Sequence, residues 1–160
     1  MRSLVHVLAS TAVAAWASAL VVQRDSTEVL GVAYVTSLSV NWLLDYLGHS
    51  SGRRSPLTHE PTNASAISFA TALALSLLYL YDLELALLTF LASGASFVTH
   101  LALDLLSGGI YVRDGGSYRR VYLLKLRGPL YSIANSATLA LSIASIAVYL
   151  LICSSLGAPR

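Results

Sequence analysis

Five apolar stretches run through this 160-residue chain, and they constrain its fold more than any other feature. Each is long enough, or nearly long enough, to cross about 30 Å of hydrocarbon at about 1.5 Å per helical residue. Apolar residues make up 56% of the chain and charged residues only 11%, which does not suit a water-facing surface. The sequence therefore predicts an all-α membrane protein, a single transmembrane domain of five helices, with spans at about 4–22, 29–46, 64–81, 83–106 and 129–156.

The basic residues predict how this five-helix bundle is oriented. With five spans, the N-terminus and the two long connections, at 47–63 and 107–128, lie on one side of the membrane. Lys and Arg concentrate in cytoplasmic loops, so the richer side is placed in the cytoplasm of a multi-pass plasma-membrane protein. Eight of the 10 basic residues fall on the N-terminal side, against Arg24 and Arg160 on the other: Arg2, Arg53, Arg54, Arg113, Arg119, Arg120, Lys125 and Arg127.

The second long connection predicts a short cytoplasmic hairpin between helices four and five. Asp114-Gly115-Gly116 is typical of a tight turn, and it separates the segments GIYVR and SYRRVYLL. The basic residues of this segment predict contact with anionic lipid headgroups. A net charge of only +2 gives no argument for nucleic-acid binding.

Charged and ionisable residues interrupt the apolar stretches at a few positions. Asp45, His100 and Asp104 lie within or at the ends of these stretches, where a charge at a helix centre costs roughly 2.5–3.5 kcal/mol. Asp45 and His49 are four residues apart, as are His100 and Asp104, so each pair shares one helix face. Such residues need partners.

The predicted topology brings all of these residues to the cytoplasmic end of the bundle, because His6 opens the first span and His59 opens the third. Imidazole and carboxylate are ligands of Zn²⁺, Mn²⁺ or Fe²⁺, and the single cysteine, Cys153, cannot build a Cys-based zinc module. Bound zinc lowers the pKa of a water molecule to about 7, which supplies a nucleophile at neutral pH. The alternative is that each residue only packs or sits at the interface. Convergence at one depth favours a divalent-metal site, with zinc as the first candidate, formed by His6, Asp45, His49, His59, His100 and Asp104.

Two adjacent arginines, Arg53 and Arg54, lie beside this predicted site. They can anchor the protein at lipid headgroups, as basic residues at helix ends do. They can also bind a phosphate through bidentate hydrogen bonds, which guanidinium groups make well. Both interpretations remain open from the sequence.

The sequence resembles an uncharacterised archaeal family of small integral-membrane proteins, itself similar to the YdjM-type membrane-bound metal-dependent hydrolases. The resemblance runs from His6 to about Asn135. It is carried by LLDYLGH, RSPLTHEPTN and GASFVTHLALDLLSGGIYVRDGGSYRR. It implies a metal-dependent hydrolase.

A fainter likeness is to the zinc-dependent phospholipase C and P1 nuclease group, which uses an early His, an Asp followed fourteen residues later by a His, and then His-x₃-Asp. Here these are His6, Asp45 with His59, and His100 with Asp104. The likeness implies that the last four share one metal, with Asp104 bridging toward a second metal near His6. The chain lacks that group's later histidine pair and adds His49.

The leading hypothesis is a hydrolase at the cytoplasmic membrane face that cleaves a phosphoester of a lipid or lipid-linked substrate. Asp104 would be a catalytic-metal ligand, and Arg53 or Arg54 would hold the phosphate oxygens. A second hypothesis is a non-enzymatic protein that transports metal ions or protons through the bundle. A third is a structural protein in which the metal only holds the helices together.

Overall fold

The computed structural model describes residues 3–49 and 54–155. That part of the chain is mostly helical, with one small two-stranded sheet. Its elements, in order, are α1 (Ser3–Ala19), α2 (Ser26–Gly48), α3 (Pro56–His59), α4 (Pro61–Ser76) followed by a 3₁₀ turn (Leu77–Tyr79), α5 (Leu83–Leu106), β1 (Ile110–Asp114), β2 (Ser117–Val121) and α6 (Gly128–Ser155).

Within the described residues, three helical segments are long and apolar enough to cross a membrane: Pro61–Tyr79, Leu83–Leu106 and Gly128–Ser155. They correspond to the last three predicted spans. Helix α6 leaves many large apolar side chains on its surface, including Leu141 and Leu151, which are 71% and 68% exposed. A surface of this kind suits hydrocarbon better than water. By length and composition, these three helices indicate membrane association.

The first two predicted spans are helical, but they meet the criteria for a membrane span less clearly than the last three. Helix α1 has only 17 residues, at the short end of the spanning range of about 17–25. Helix α2 has 23 residues but is not among the helices apolar enough to be counted as a span. The polar residues of α2 turn inward, since Thr36, Ser37 and Asn41 are all buried. Because these polar side chains are buried, the exposed surface of α2 is more apolar than the overall composition of the helix.

Helix α5 lies at the centre of the fold and packs against α1, α2 and α4. Small residues let three of these helices approach closely: Ala14, Ala33 and Ala92 form one fully buried cluster. Helix α6 packs mainly against α1. Close packing through small side chains is how helices associate in lipid, where no hydrophobic effect drives them together.

An ion-paired cluster connects the start of α5 to the link between α1 and α2. Arg24 lies 2.7 Å from both Asp82 and Glu84. Asp82 also caps α5 by accepting a hydrogen bond from the Leu85 amide. The end of α1 and the starts of α2 and α5 therefore lie together, so the start of α1 and the ends of α2 and α5 lie at the opposite end.

The predicted hairpin after α5 is confirmed. Strands β1 and β2 are antiparallel, with Asp114 paired to Ser117 across the turn. Gly115 and Gly116 both have positive φ, 53° and 89°, as a two-residue hairpin turn of this hand requires. The hairpin contacts the site region, since the Tyr111 hydroxyl donates to the Arg54 carbonyl oxygen at 3.0 Å.

Candidate metal centre

Three histidines and one aspartate from three helices are buried together where α1 begins and α5 ends. His6 comes from α1, His59 from α3, and His100 and Asp104 from α5. None of the four is more than 1% exposed. Ionisable side chains are rarely buried this completely unless they are paired with one another or bind a metal.

The local sequence explains why His59 reaches this cluster. Ser55 and Pro56 begin the four-residue helix α3, in which the Ser55 hydroxyl accepts a hydrogen bond from the Leu57 amide. His59 ends α3 and packs directly against Gly48. A β-carbon at Gly48 would lie 2.6 Å from Cε1 of His59, which is too close for any contact. Glycine at this position therefore allows α3 to bring His59 against the end of α2.

The Nε2 atoms of the three histidines surround the Asp104 carboxylate. His59 and His100 place Nε2 at 3.2 and 3.4 Å from Oδ2 of Asp104, and His6 places Nε2 at 3.5 Å from Oδ1. These separations are longer than the about 2.7–2.9 Å of a charge-assisted hydrogen bond. Two tetrahedral ligands bound at about 2.0–2.1 Å to one zinc ion lie about 3.3 Å apart. The spacing therefore suits ligands around a shared cation, although it also lies within hydrogen-bonding range of the carboxylate.

Two overlapping groups of side chains in the described part of the chain could hold a metal ion. One comprises His6, His100 and Asp104, and the other Asp45, His59 and His100, with ligand atoms in each group within 4.8 Å of one another. His100 belongs to both groups. The Ser3 hydroxyl positions Asp45 by donating to its Oδ2 at 2.7 Å. The structure thus brings together five of the six predicted metal ligands.

The sixth predicted ligand, His49, lies outside both groups. It is the residue that ends α2, its side chain is 39% exposed, and its Nδ1 hydrogen-bonds the Asp45 carbonyl oxygen at 2.8 Å. Its ring meets the His59 ring edge-on, with centroids 5.3 Å apart. His49 does lie beside Asp45, with its Nδ1 3.9 Å from Oδ1 of that carboxylate. Because the same nitrogen contacts the main chain and the ring is partly exposed, His49 lies at the edge of the cluster.

Of the two predicted arginines, Arg54 reaches the cluster and Arg53 lies outside the described residues. Nη1 of Arg54 is 2.7 Å from Oδ1 of Asp104, and the Arg54 side chain is 14% exposed. The guanidinium group therefore lies between the buried carboxylate and the exterior. Among the described residues, the two carboxylates of the cluster carry one more negative charge than the Arg54 guanidinium can neutralise when the imidazoles are neutral. A divalent cation would compensate that charge.

An asparagine that the sequence did not mark as part of the site fixes the tautomer of the neutral His100 ring. The Asn41 amide nitrogen is 2.7 Å from the Ser37 carbonyl oxygen, which can only accept, so Oδ1 of Asn41 faces His100. Nδ1 of His100 donates to that oxygen at 2.8 Å. In the neutral ring, Nε2 then carries the lone pair and points at Asp104, a repulsive arrangement that either a bound cation or a proton on Nε2 would relieve.

Burial lowers the pKa of His59, although the nearby Asp104 carboxylate raises it in part. A lowered pKa keeps this imidazole neutral near neutral pH, and neutral imidazole is the form that binds metal. The Thr58 hydroxyl lies 2.9 Å from Nδ1 of His59 and hydrogen-bonds to it, which fixes the ring orientation. The sequence reasoning missed Thr58 and Gly48 because their roles depend on how α3 packs.

We expect Asn41→Leu to weaken metal binding by about 10–100-fold, the usual effect of losing a residue that orients a metal-bound histidine. The substitution leaves the Nδ1–H of His100 buried without an acceptor. The measurement is a zinc titration of purified protein against a competing chelator. Asn41→Asp is the matched control, because it keeps an acceptor and should retain metal. Wild-type affinity in the leucine variant would contradict this assignment of the His100 tautomer.

No protein-family model, curated protein or solved structure matches this chain.

Proposed function

We propose that the protein is a divalent-metal-dependent hydrolase that cleaves a phosphoester of a membrane lipid or lipid-linked substrate. The observation that carries the proposal is the spacing of 3.2–3.5 Å between three buried imidazole nitrogens and one carboxylate. Five residues, His6, Asp45, His59, His100 and Asp104, would hold the metal. A mixed set of histidine and carboxylate ligands is typical of zinc, which is the metal we propose.

We place the protein in the plasma membrane as a five-span bundle with its N-terminus and metal centre on the cytoplasmic side. The support is the presence of three helices of spanning length and the concentration of basic residues on one side of the predicted topology. The exposed basic hairpin of β1 and β2 joins the helix end that carries the metal centre. That end would meet the lipid headgroups, where phosphoesters are found.

The proposed reaction is hydrolysis at phosphorus. A zinc ion in such a site lowers the pKa of water and stabilises negative charge on phosphate oxygens. The water oxygen forms a bond to phosphorus, the ester P–O bond breaks, and the leaving oxygen takes a proton to become an alcohol. Arg54 would hold the nonbridging phosphate oxygens as their charge increases. Arg53 is a second candidate for this role.

The resemblance to membrane-bound metal-dependent hydrolases and to zinc-dependent phospholipase C supports the same class of reaction. The motif residues that carry it, from His6 through the His100-x₃-Asp104 element, are those that the fold brings together. Four of the five come from segments quoted for the resemblance: Asp45, His59, His100 and Asp104.

A structural role for the cluster is the second candidate, and one observation favours it. Arg54 and Asp104 form a short ion pair of 2.7 Å in which the buried carboxylate already has a cationic partner. Such a pair, surrounded by histidines, could hold α1, α3 and α5 together without chemistry. The two candidates differ in whether the protein needs a metal to act on a substrate.

Metal removal tests the proposal directly. Protein purified in detergent should contain about one to two equivalents of metal and should release inorganic phosphate from phosphatidic acid or diacylglycerol from phosphatidylglycerol. A chelator should abolish this activity, and added Zn²⁺ should restore it, because the metal supplies the nucleophile. Hydrolysis that persists in metal-free protein, or the absence of bound metal by elemental analysis, would overturn the proposal.

A further inference from the structure

An open groove of about 460 Å³ runs between α4 and α5, the first two helices of spanning length. Its walls are aromatic: the Phe69 and Phe90 rings pack with centroids 5.8 Å apart, and Phe97 lies further along. Small residues such as Ala72 and Gly94 line it as well. Its size falls within the about 300–1,000 Å³ typical of ligand pockets.

The groove leads toward the metal centre. Its α5 residues Phe90, Ser93 and Phe97 continue along the same helix face to His100 and Asp104, with spacings of three and four residues. At about 1.5 Å per residue, Phe97 lies about 5 Å along the axis from His100. On α4, the lining residues begin at Ser65, one turn after the start of the helix at Pro61. The groove therefore descends into the apolar part of the fold from the end that carries the cluster.

The Ser68 hydroxyl in the groove wall has no hydrogen-bond partner among the described residues. Ser68 is only 4% exposed. Neighbouring hydroxyls are satisfied by helix carbonyls, as Thr71 is by Ile67 and Ser93 is by Ser68. A buried hydroxyl without a partner costs free energy, so an oxygen atom of a bound molecule is expected near Ser68.

We propose that this groove binds one hydrocarbon chain of the lipid substrate, with the phosphate at the metal centre and an ester or ether oxygen near Ser68. The inference rests on the proposed function and adds the substrate class, a lipid held by its chain. The direction of the groove fits the direction of a lipid, whose phosphate lies at the interface and whose chain extends into the hydrocarbon.

Gly94 provides a variant that fills the groove without disturbing the fold. A β-carbon at Gly94 meets no atom within 4 Å, and the same is true of Gly31 on α2, outside the groove. Gly94→Leu should lower kcat/KM for a long-chain lipid phosphoester about tenfold or more, because the lipid chain would lose the burial of about two methylene groups. It should leave kcat/KM for a phosphoester with two-carbon chains unchanged. Gly31→Leu is the matched control and should change neither.

Photolabelling tests the groove independently of hydrolysis. The probes are a phosphonate analogue of phosphatidic acid, in which carbon replaces the ester oxygen, and diacylglycerol, both with a diazirine in one acyl chain. The phosphonate should label residues 65–97 more than diacylglycerol does, and Gly94→Leu but not Gly31→Leu should remove the difference. If this labelling difference is found but the protein hydrolyses no phosphoester, the proposed function is overturned, whereas the groove remains a binding site for a lipid phosphate.

Two results would overturn the groove proposal. Equal labelling by both probes would mean that bulk lipid fills the groove, even if the protein hydrolyses phosphoesters. Dimeric wild-type protein that becomes monomeric with Gly94→Leu would mean that a second copy of the chain occupies it.

Discussion

Asp104→Asn should reduce metal affinity and lipid phosphoester hydrolysis by more than about 100-fold. Loss of a residue that only orients a ligand costs about 10–100-fold, and Asp104 faces three imidazole nitrogens directly. The amide oxygen of asparagine is neutral and binds a divalent cation poorly. Elemental analysis and a phosphate-release assay on the same preparation give the two measurements.

The same substitution removes the anionic partner of Arg54, so its effect on folding has to be measured separately. Breaking a fully buried ion pair costs about 3–5 kcal/mol, but Arg54 is 14% exposed and can reach water, so we expect a smaller loss. Asp114→Asn, in the exposed hairpin turn, is the matched control. His59→Gln removes a ligand without unpairing Arg54 and should also lose metal. If the Asp104→Asn protein folds and keeps its full metal content and activity, Asp104 is not a metal ligand and has only a packing role.

Arg54→Gln should separate catalysis from metal binding. We expect kcat/KM to fall by about 10²–10³-fold, the range for removing one group that stabilises developing negative charge. Metal affinity should stay the same or rise, because the guanidinium group at 2.7 Å from Asp104 competes with the metal for the same carboxylate oxygen. General unfolding would lower metal affinity together with kcat/KM, so a fall in kcat/KM with unchanged or higher metal affinity would not be explained by it. Zinc titration and steady-state kinetics measure them.

Two further variants make the Arg54 experiment specific. Arg54→Lys keeps the charge but cannot make the bidentate contact, so it should recover only part of the activity. Arg119→Gln removes an exposed arginine of the hairpin and should leave kcat/KM unchanged. A marked loss of thermal stability in Arg54→Gln with unchanged kcat/KM would instead identify the ion pair with Asp104 as structural.

The sequence was sufficient to predict that His6, His100 and Asp104 meet, because helix spacing and the depth of each residue in the predicted spans can be read from it. Four-residue spacing placed His100 and Asp104 on one face, and alternating helix direction placed His6 at the same end. The structure brings these residues together. The Gly-Gly turn of the hairpin was also predicted, since few other residues tolerate positive φ at two adjacent positions.

Other parts of the site depend on packing that no local pattern encodes. The third predicted span was expected to begin near His59, but a separate four-residue helix ends there and α4 starts at Pro61. Glu60 caps α4, and Gly48 makes room for the His59 ring. The predicted pairing of Asp45 with His49 is present, at 3.9 Å between Oδ1 and Nδ1. The spacing could not show that the same Nδ1 contacts the Asp45 carbonyl oxygen, which leaves His49 outside the groups that could hold a metal.

The inward polar face of α2 has a consequence for how the protein is made. Asn41 hydrogen-bonds to Ser10 on α1 at 3.3 Å and to His100 on α5, 59 residues later in the chain. In the proposed five-span arrangement, α2 would enter the bilayer at a cost until partner helices bury its polar residues. During synthesis α1 can supply the first partner at once, as the other half of a helical hairpin. The second partner would become available only when α5 leaves the ribosome, so the proposed metal centre would be completed late in biogenesis.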